Sequence, residues 1–174
     1  MQVFVVLKDT LIIMRKHKIA FELEVYDSRK ELSEEDASLM KQALIARENA
    51  YAPYSNFFVG AAVLLENGEV VCGNNQENAS YPSGLCAERV AIFHAGANFP
   101  NVKIKAVAIT AASKNIKVEN PVAPCGNCRQ SIKEYEVKQD APISLLLMGE
   151  SGAVYKCSSV ADILPLGFDS SYLG

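Results

Sequence analysis

The chain reads as an α/β protein of three layers, α/β/α, built on a five-stranded mixed sheet with strand order 2-1-3-4-5. Three observations predict the sheet with helices on its faces, its hairpin and its antiparallel final pair. Apolar runs and helical periodicities follow one another as β-β-α-β-α-β-β, which implies a sheet with helices packed on its faces. Asn67-Gly68 stands between two apolar runs, the strongest short hairpin signal. Only Gly149-Glu150-Ser151-Gly152 separates the last two runs. A parallel crossover needs a dozen or more residues, so the last two strands must be antiparallel neighbours.

Each element has its own signal. Residues 1–32 read as a lead-in, with a short strand near Ile19–Val25 and a first segment, 1–13, that Met14 marks off as an upstream extension. Ser33 with Asp36 three residues on is a capping box that opens a helix. Met40, Ala43, Leu44, Arg47, Ala50 and Tyr51 continue it at helical spacing until Pro53 stops it. Phe58–Leu65 and the run from Val70 to Asn75 are the two arms of the hairpin. Ser83-Gly84 precedes a helix from about Leu85 to Ala97, and Ile104–Ala111 is a buried strand. Pro124 is placed to open a second helix from Cys125 to about Tyr135. Ile143–Met148 and Ala153–Tyr155 are the last strands. With no repeat or linker, residues 33–174 are expected to form one domain.

Composition narrows the partners. Hydrophobic residues make up 49% and charged residues 21%, ordinary for a water-soluble domain. The net charge is −3 and the isoelectric point near 5.5. Lys114, Lys117, Lys133 and Lys138 are scattered among acids, so no nucleic-acid surface is expected. The N-terminal apolar run is broken by Lys8 and Asp9 and is too short to span a bilayer. Five cysteines, an odd number, include one close Cys-x-x-Cys pair, which suits a reducing compartment. A cytoplasmic protein without a membrane partner is the expectation.

The chemistry lies in Cys86-Ala87-Glu88 and Pro124-Cys125-Gly126-Asn127-Cys128. Three thiolates can hold a zinc ion and leave one position open, the mark of a catalytic rather than a structural site. All three cysteines fall at expected helix starts, where unpaired N–H groups favour a thiolate. Cys125 and Cys128 are spaced i, i+3 and share a face. Three thiolates outweigh the charge of one zinc ion, so a cation must offset them. Arg89 is the first candidate to donate to the sulfurs and Arg129 the second. Glu88, two residues after a ligand, is placed to move the protons of a water at the open position. This pattern matches the zinc-dependent nucleobase deaminase signature. A redox Cys-x-x-Cys would leave Cys-Ala-Glu unexplained. A closed structural site would need a fourth ligand, and Cys72, Cys157, His17 and His94 lack ligand-like spacing. Cys72 and Cys157 are expected to be small apolar residues in strands.

With their flanks, these motifs resemble cytidine deaminase of the small homotetrameric type, from about Ser33 to Phe168. The matching pieces are Tyr51-Ala52-Pro53-Tyr54-Ser55-Asn56-Phe57 with Val59-Gly60-Ala61-Ala62, Asn75-Gln76-Glu77-Asn78-Ala79-Ser80-Tyr81, Cys86-Ala87-Glu88-Arg89, Pro124 to Gln130, and Leu164-Pro165-Leu166-Gly167-Phe168. The resemblance implies one zinc per chain and hydrolytic deamination of cytidine and deoxycytidine in pyrimidine salvage. It gives Glu88 the proton transfers, Asn75 and Glu77 the ribose hydroxyls, Phe57 the pyrimidine face, and the Ala87 N–H the ring carbonyl. Tyr81 and Phe168 resemble residues that complete a neighbouring subunit's site. A blasticidin-type deaminase, with the same three cysteines, is the nearest rival. The Asn75-x-Glu77 pair and the Phe168 tail favour cytidine. A binding module that has lost its chemistry is the rival from another class, and intact Glu88 with three ligands argues against it. The short turn at 149–152 favours a free nucleoside over nucleotides and nucleic acids. Two departures stand out: Val90 where the family often has Thr, and the longer lead-in.

Overall fold

The computed structural model describes residues 3–7 and 10–174, with side chains from Met14 onward. Met1, Gln2, Lys8 and Asp9, which the sequence places in the upstream extension, lie outside the described residues. Strands β1 (Val3–Leu7) and β2 (Thr10–Met14) form a separate antiparallel pair. The main sheet holds β3 (Glu24–Tyr26), β4 (Phe57–Leu65), β5 (Val70–Asn74), β6 (Ile104–Ser113), β7 (Ser144–Met148) and β8 (Val154–Cys157). Its order is β3-β8-β7-β6-β4-β5. The expected count of five strands is therefore corrected to six, while the other five keep their expected relative order. The added strand comes from the lead-in and hydrogen-bonds along β8 at the edge.

That strand is shorter and later than the stretch Ile19–Val25 suggested, because pairing starts only where β8 offers a partner: Glu24 opposite Lys156, Tyr26 opposite Val154. Leu32 and Tyr26 also join the core beneath the first helix, so residues 24–32 share the sheet and core formed by residues 33–157. The final pair, β7 and β8, is antiparallel, as the short turn required. β6 and β7 are parallel, joined through a helix.

Three helices cover the two faces. Helix α1 (Glu34–Arg47) packs on one side through Leu39, Met40 and Ala43 against Ala62, Leu64, Ala108 and Leu146. Helices α2 (Ala87–Asn98) and α3 (Gly126–Gln139) cover the other through Ala91, Ile92, Ala95 and Ile132 against Val63, Val107, Ile109 and Leu145. Two glycines set how closely the helices approach. A Cβ at Gly60 would stand 2.0 Å from the Ala43 carbonyl oxygen, and one at Gly73 2.5 Å from the Ala91 nitrogen. The first turn of α2 therefore rests directly on β5.

The expected capping box is half made. The Asp36 nitrogen donates to Ser33 Oγ at 3.1 Å, but the Asp36 carboxylate accepts from Lys156 Nζ at 2.7 Å instead of closing the box. α1 also ends at Arg47, short of Tyr51. Tyr51 is drawn away because its nitrogen donates to the Asn75 carbonyl and its own carbonyl accepts from Glu77. Its place in the fold is a bridge to the strand-like segment 75–77.

One structural acid escaped the sequence reading. Glu136 is buried on α3, where Oε1 accepts from the nitrogens of Ile143 (2.8 Å) and Val160 (3.0 Å) and from Ser159 Oγ (2.9 Å). Its only sequence signal was an acid inside an apolar helical face. Glu136→Ala would strand two buried N–H donors, costing about 3 kcal/mol, or on the order of 10 °C in Tm. Thermal unfolding checks this, and an unchanged Tm would show the network to be dispensable.

Candidate metal centre and active site

The facing ends of α2 and α3 build the site. Cys86 and Cys125 are the N-cap residues of the two helices, one position earlier than the first-turn placement expected, and Cys128 lies in the first turn of α3. Neither N-cap side chain caps its own helix. Both sulfurs instead turn toward Cys128. The three Sγ atoms lie within 4.8 Å of one another. Cys86 and Cys125 are 3.8 Å apart, and Cys125 and Cys128 are 3.4 Å apart. Sulfurs tetrahedrally placed on one zinc at the usual bond length stand about 3.8 Å apart, so the donor set fits that ion.

Electrostatics supports the same reading. Hydrogen bonding from Cys128 pulls the Cys86 thiol down to about 5, with Arg89 and Cys125 adding to the effect against burial. Cys128 is pushed up, first by its contact with Cys86 and then by burial and the Glu88 charge. Sulfurs this close let one thiolate form and hold its neighbour protonated. Ionising all three calls for a cation at their centre.

Glu88 follows on the first turn of α2, 4% exposed, and its Oε2 has no hydrogen-bond partner among the described residues. Burial raises its pKa, and the Cys86 charge adds to the shift. A buried, unpartnered carboxyl oxygen beside three sulfurs is set to take up a proton. Arg89 donates to the Gly84 carbonyl at 3.5 Å. Burial lowers its pKa, but the negative sulfurs of Cys86 and Cys128 outweigh that and raise it. It stands where a charge-offsetting group is needed.

Arg129 is placed otherwise. Its Nε donates to the Pro124 carbonyl and its Nη1 to the Ile163 carbonyl, both at 2.7 Å. The expectation that it serves the sulfurs is corrected: it ties the turn before Cys125 to the C-terminal segment. Both bonds are short and direct the guanidinium at backbone carbonyls.

A cavity of about 710 Å³ opens over the cluster, lined by Phe57, Asn75, Glu77, Tyr81, Cys86 and Glu88 among others. Asn75 is 9% exposed and braces β4, accepting from the Val59 nitrogen at 2.8 Å and donating to the Phe57 carbonyl at 2.9 Å. Glu77 accepts from the nitrogens of Tyr54 (2.9 Å) and Ser55 (3.3 Å) and from the Ser55 hydroxyl. These bonds orient both side chains; the braces of Asn75 in particular were invisible in sequence. Ala87 is buried at the start of α2. Phe168 is 54% exposed, stacked on Tyr172 at 5.6 Å, and is not among the residues lining this cavity. Cys157 is buried in β8 as expected, whereas Cys72 is exposed on the outer face of β5.

A three-thiolate zinc site with an adjacent buried carboxyl, at the helix ends of an α/β/α fold, defines a hydrolytic zinc enzyme. Residues 33–140 match the family model described as the cytidine and deoxycytidylate deaminase zinc-binding region, and the chain belongs to that family. A cytidine deaminase of Sporosarcina psychrophila is 38% identical over 135 residues, covering 78% of this chain and 92% of that protein. One of Halalkalibacterium halodurans is 48% identical over 96 residues, 55% of this chain and 68% of that one. The crystal structure of cytidine deaminase from Burkholderia pseudomallei superposes with a TM-score of 0.65 at 40% identity, covering 75% of this chain and 97% of that one. Among the described residues, no helix is long and apolar enough to cross a membrane.

Proposed function

We propose that this protein deaminates free cytidine and deoxycytidine by hydrolysis, releasing ammonia and leaving uridine or deoxyuridine. The observation that carries the reading is Glu88, buried with an unpartnered oxygen beside the three clustered cysteines, in a cavity that Asn75 and Glu77 also line. Cys86, Cys125 and Cys128 would hold one zinc ion, which supplies the Lewis acidity that makes water a nucleophile near neutral pH. Glu88 takes a proton from the attacking water at its free oxygen. It delivers that proton to the ring nitrogen beside the aminated carbon, then takes the remaining proton of the added hydroxyl and passes it to the amino group, which leaves as ammonia. Its raised pKa suits both halves of that relay. Arg89 balances the excess negative charge of the sulfurs.

The remaining residues bind and orient. Asn75 and Glu77 meet the ribose hydroxyls, an amide and a carboxylate together answering donor and acceptor. Phe57 packs on the pyrimidine, and the Ala87 N–H donates to its carbonyl. Phe168 completes the site of a neighbouring subunit in a homotetramer, since it stands exposed and away from its own chain's cavity, whereas Tyr81 lines the cavity of its own chain. Residues 33–174, with 24–32 built into their sheet and core, act as one catalytic domain, working in the cytoplasm without nucleic-acid or membrane partners.

An ultraviolet assay across cytidine, deoxycytidine, cytosine, dCMP and blasticidin S tests the substrate class. Turnover of the two nucleosides, with the free base, nucleotide and blasticidin S left intact, is the expected pattern. Preference for dCMP or blasticidin S would replace the nucleoside reading.

A further inference from the structure

Residues 15–23 run from β2 to β3 without turn, bend or strand pairing, and every residue from Met14 to Val25 is exposed. The strand they enter, β3, is the outermost of the sheet: one edge pairs with β8 and the other is open. Side chains of an extended segment alternate between two faces. Of the odd positions, His17 is polar, and Ile19, Phe21, Leu23 and Val25 are apolar and 39–60% exposed. The even positions read Lys16, Lys18, Ala20, Glu22, Glu24.

Open edges are commonly blocked by lysines, which repel an incoming strand. Here two lysines hold one end and two glutamates the other, evenly spaced about Ala20. Turned end over end, the series is its own complement.

We propose that residues 16–24 pair antiparallel with the same segment of a second copy of this chain, about a two-fold axis at Ala20. Lys16 then faces Glu24 and Lys18 faces Glu22, each twice, while Ile19 of one copy faces Phe21 of the other. A two-fold contact between like chains requires this self-complementarity. Parallel pairing would oppose lysine to lysine and glutamate to glutamate, which is destabilising. An axis at Glu22 would oppose that residue to itself, and one at Phe21 would leave Glu22 against Ala20. The contact joins chains through the lead-in and does not rest on the deaminase reading.

The test uses the full-length chain with Ala20→Cys under mild oxidation. Directly opposed residues fall within reach of a disulfide. On a non-reducing gel the band shifts from 18.9 kDa to about twice that mass. His17→Cys is the register control, since its two copies sit about 20 Å apart across the axis. The unsubstituted chain sets the background of the native cysteines. Adding Lys18→Glu to Ala20→Cys abolishes the shifted band, and adding Glu22→Lys as well restores it, with unchanged melting showing that each variant is folded. Equal cross-linking of Ala20→Cys and His17→Cys, or no recovery in the charge-swapped variant, overturns the proposal.

Discussion

Glu88→Ala is expected to lower kcat/KM for cytidine by about 10³–10⁴-fold, the upper range for loss of a positioned acid–base group. Zinc content and Tm should stay near those of the parent, because Glu88 is no member of the sulfur cluster and its Oε2 holds no structural contact. Truncation even removes a buried, unpartnered polar atom, so stability is expected to hold or rise. Steady-state kinetics beside metal analysis reads both halves. A variant with parental turnover would remove Glu88 from the chemistry, whereas one that loses zinc would make it a structural residue.

Cys125→Ala should abolish both metal and activity. Its sulfur lies 3.8 Å from that of Cys86 and 3.4 Å from that of Cys128, so it joins the two helix ends. Two thiolates remain, and affinity should fall by more than the roughly 10–100-fold typical of losing a mere supporting contact. Cys157→Ala is the matched control, a buried cysteine in β8 outside the cluster. It should keep about one zinc per chain. Full zinc occupancy in Cys125→Ala would mean that the ion is held elsewhere.

The core of the site was legible because its signals are local. Cys86, Glu88, Cys125 and Cys128 each owe their place to a helix start, and helix starts are written in short stretches such as Ser83-Gly84 and Pro124. The antiparallel end of the sheet was legible for a similar reason: four residues cannot make a crossover. What stayed hidden depends on partners distant in sequence. Glu24–Tyr26 became a sixth strand only because β8, more than a hundred residues on, offers an open edge. Asp36 left its capping box for Lys156, and Arg129 left the sulfurs for two backbone carbonyls. Tyr51, helical by spacing, was captured by the Asn75–Glu77 segment that shapes the cavity. In each case a tertiary partner outcompeted the local pattern, and no local pattern names that partner.

Arg89 remains the point where sequence and structure meet most closely. The excess charge of three thiolates calls for a neighbouring cation, and the charge of Cys86 and Cys128 holds the guanidinium that follows Glu88 above its ordinary pKa. The same crowding shifts those two cysteines in opposite directions, one thiolate forming beside a protonated neighbour. On the proposed reading the centre is an electrostatic unit of two helix ends, three sulfurs, one arginine and one metal ion.

Stepwise zinc addition to the metal-stripped chain, with the rate of cytidine loss read at each step, is the decisive test of that unit. The rate should rise in proportion to bound zinc and break sharply at about one ion per chain. Full turnover before any zinc is added, or a rate that ignores zinc altogether, would contradict it.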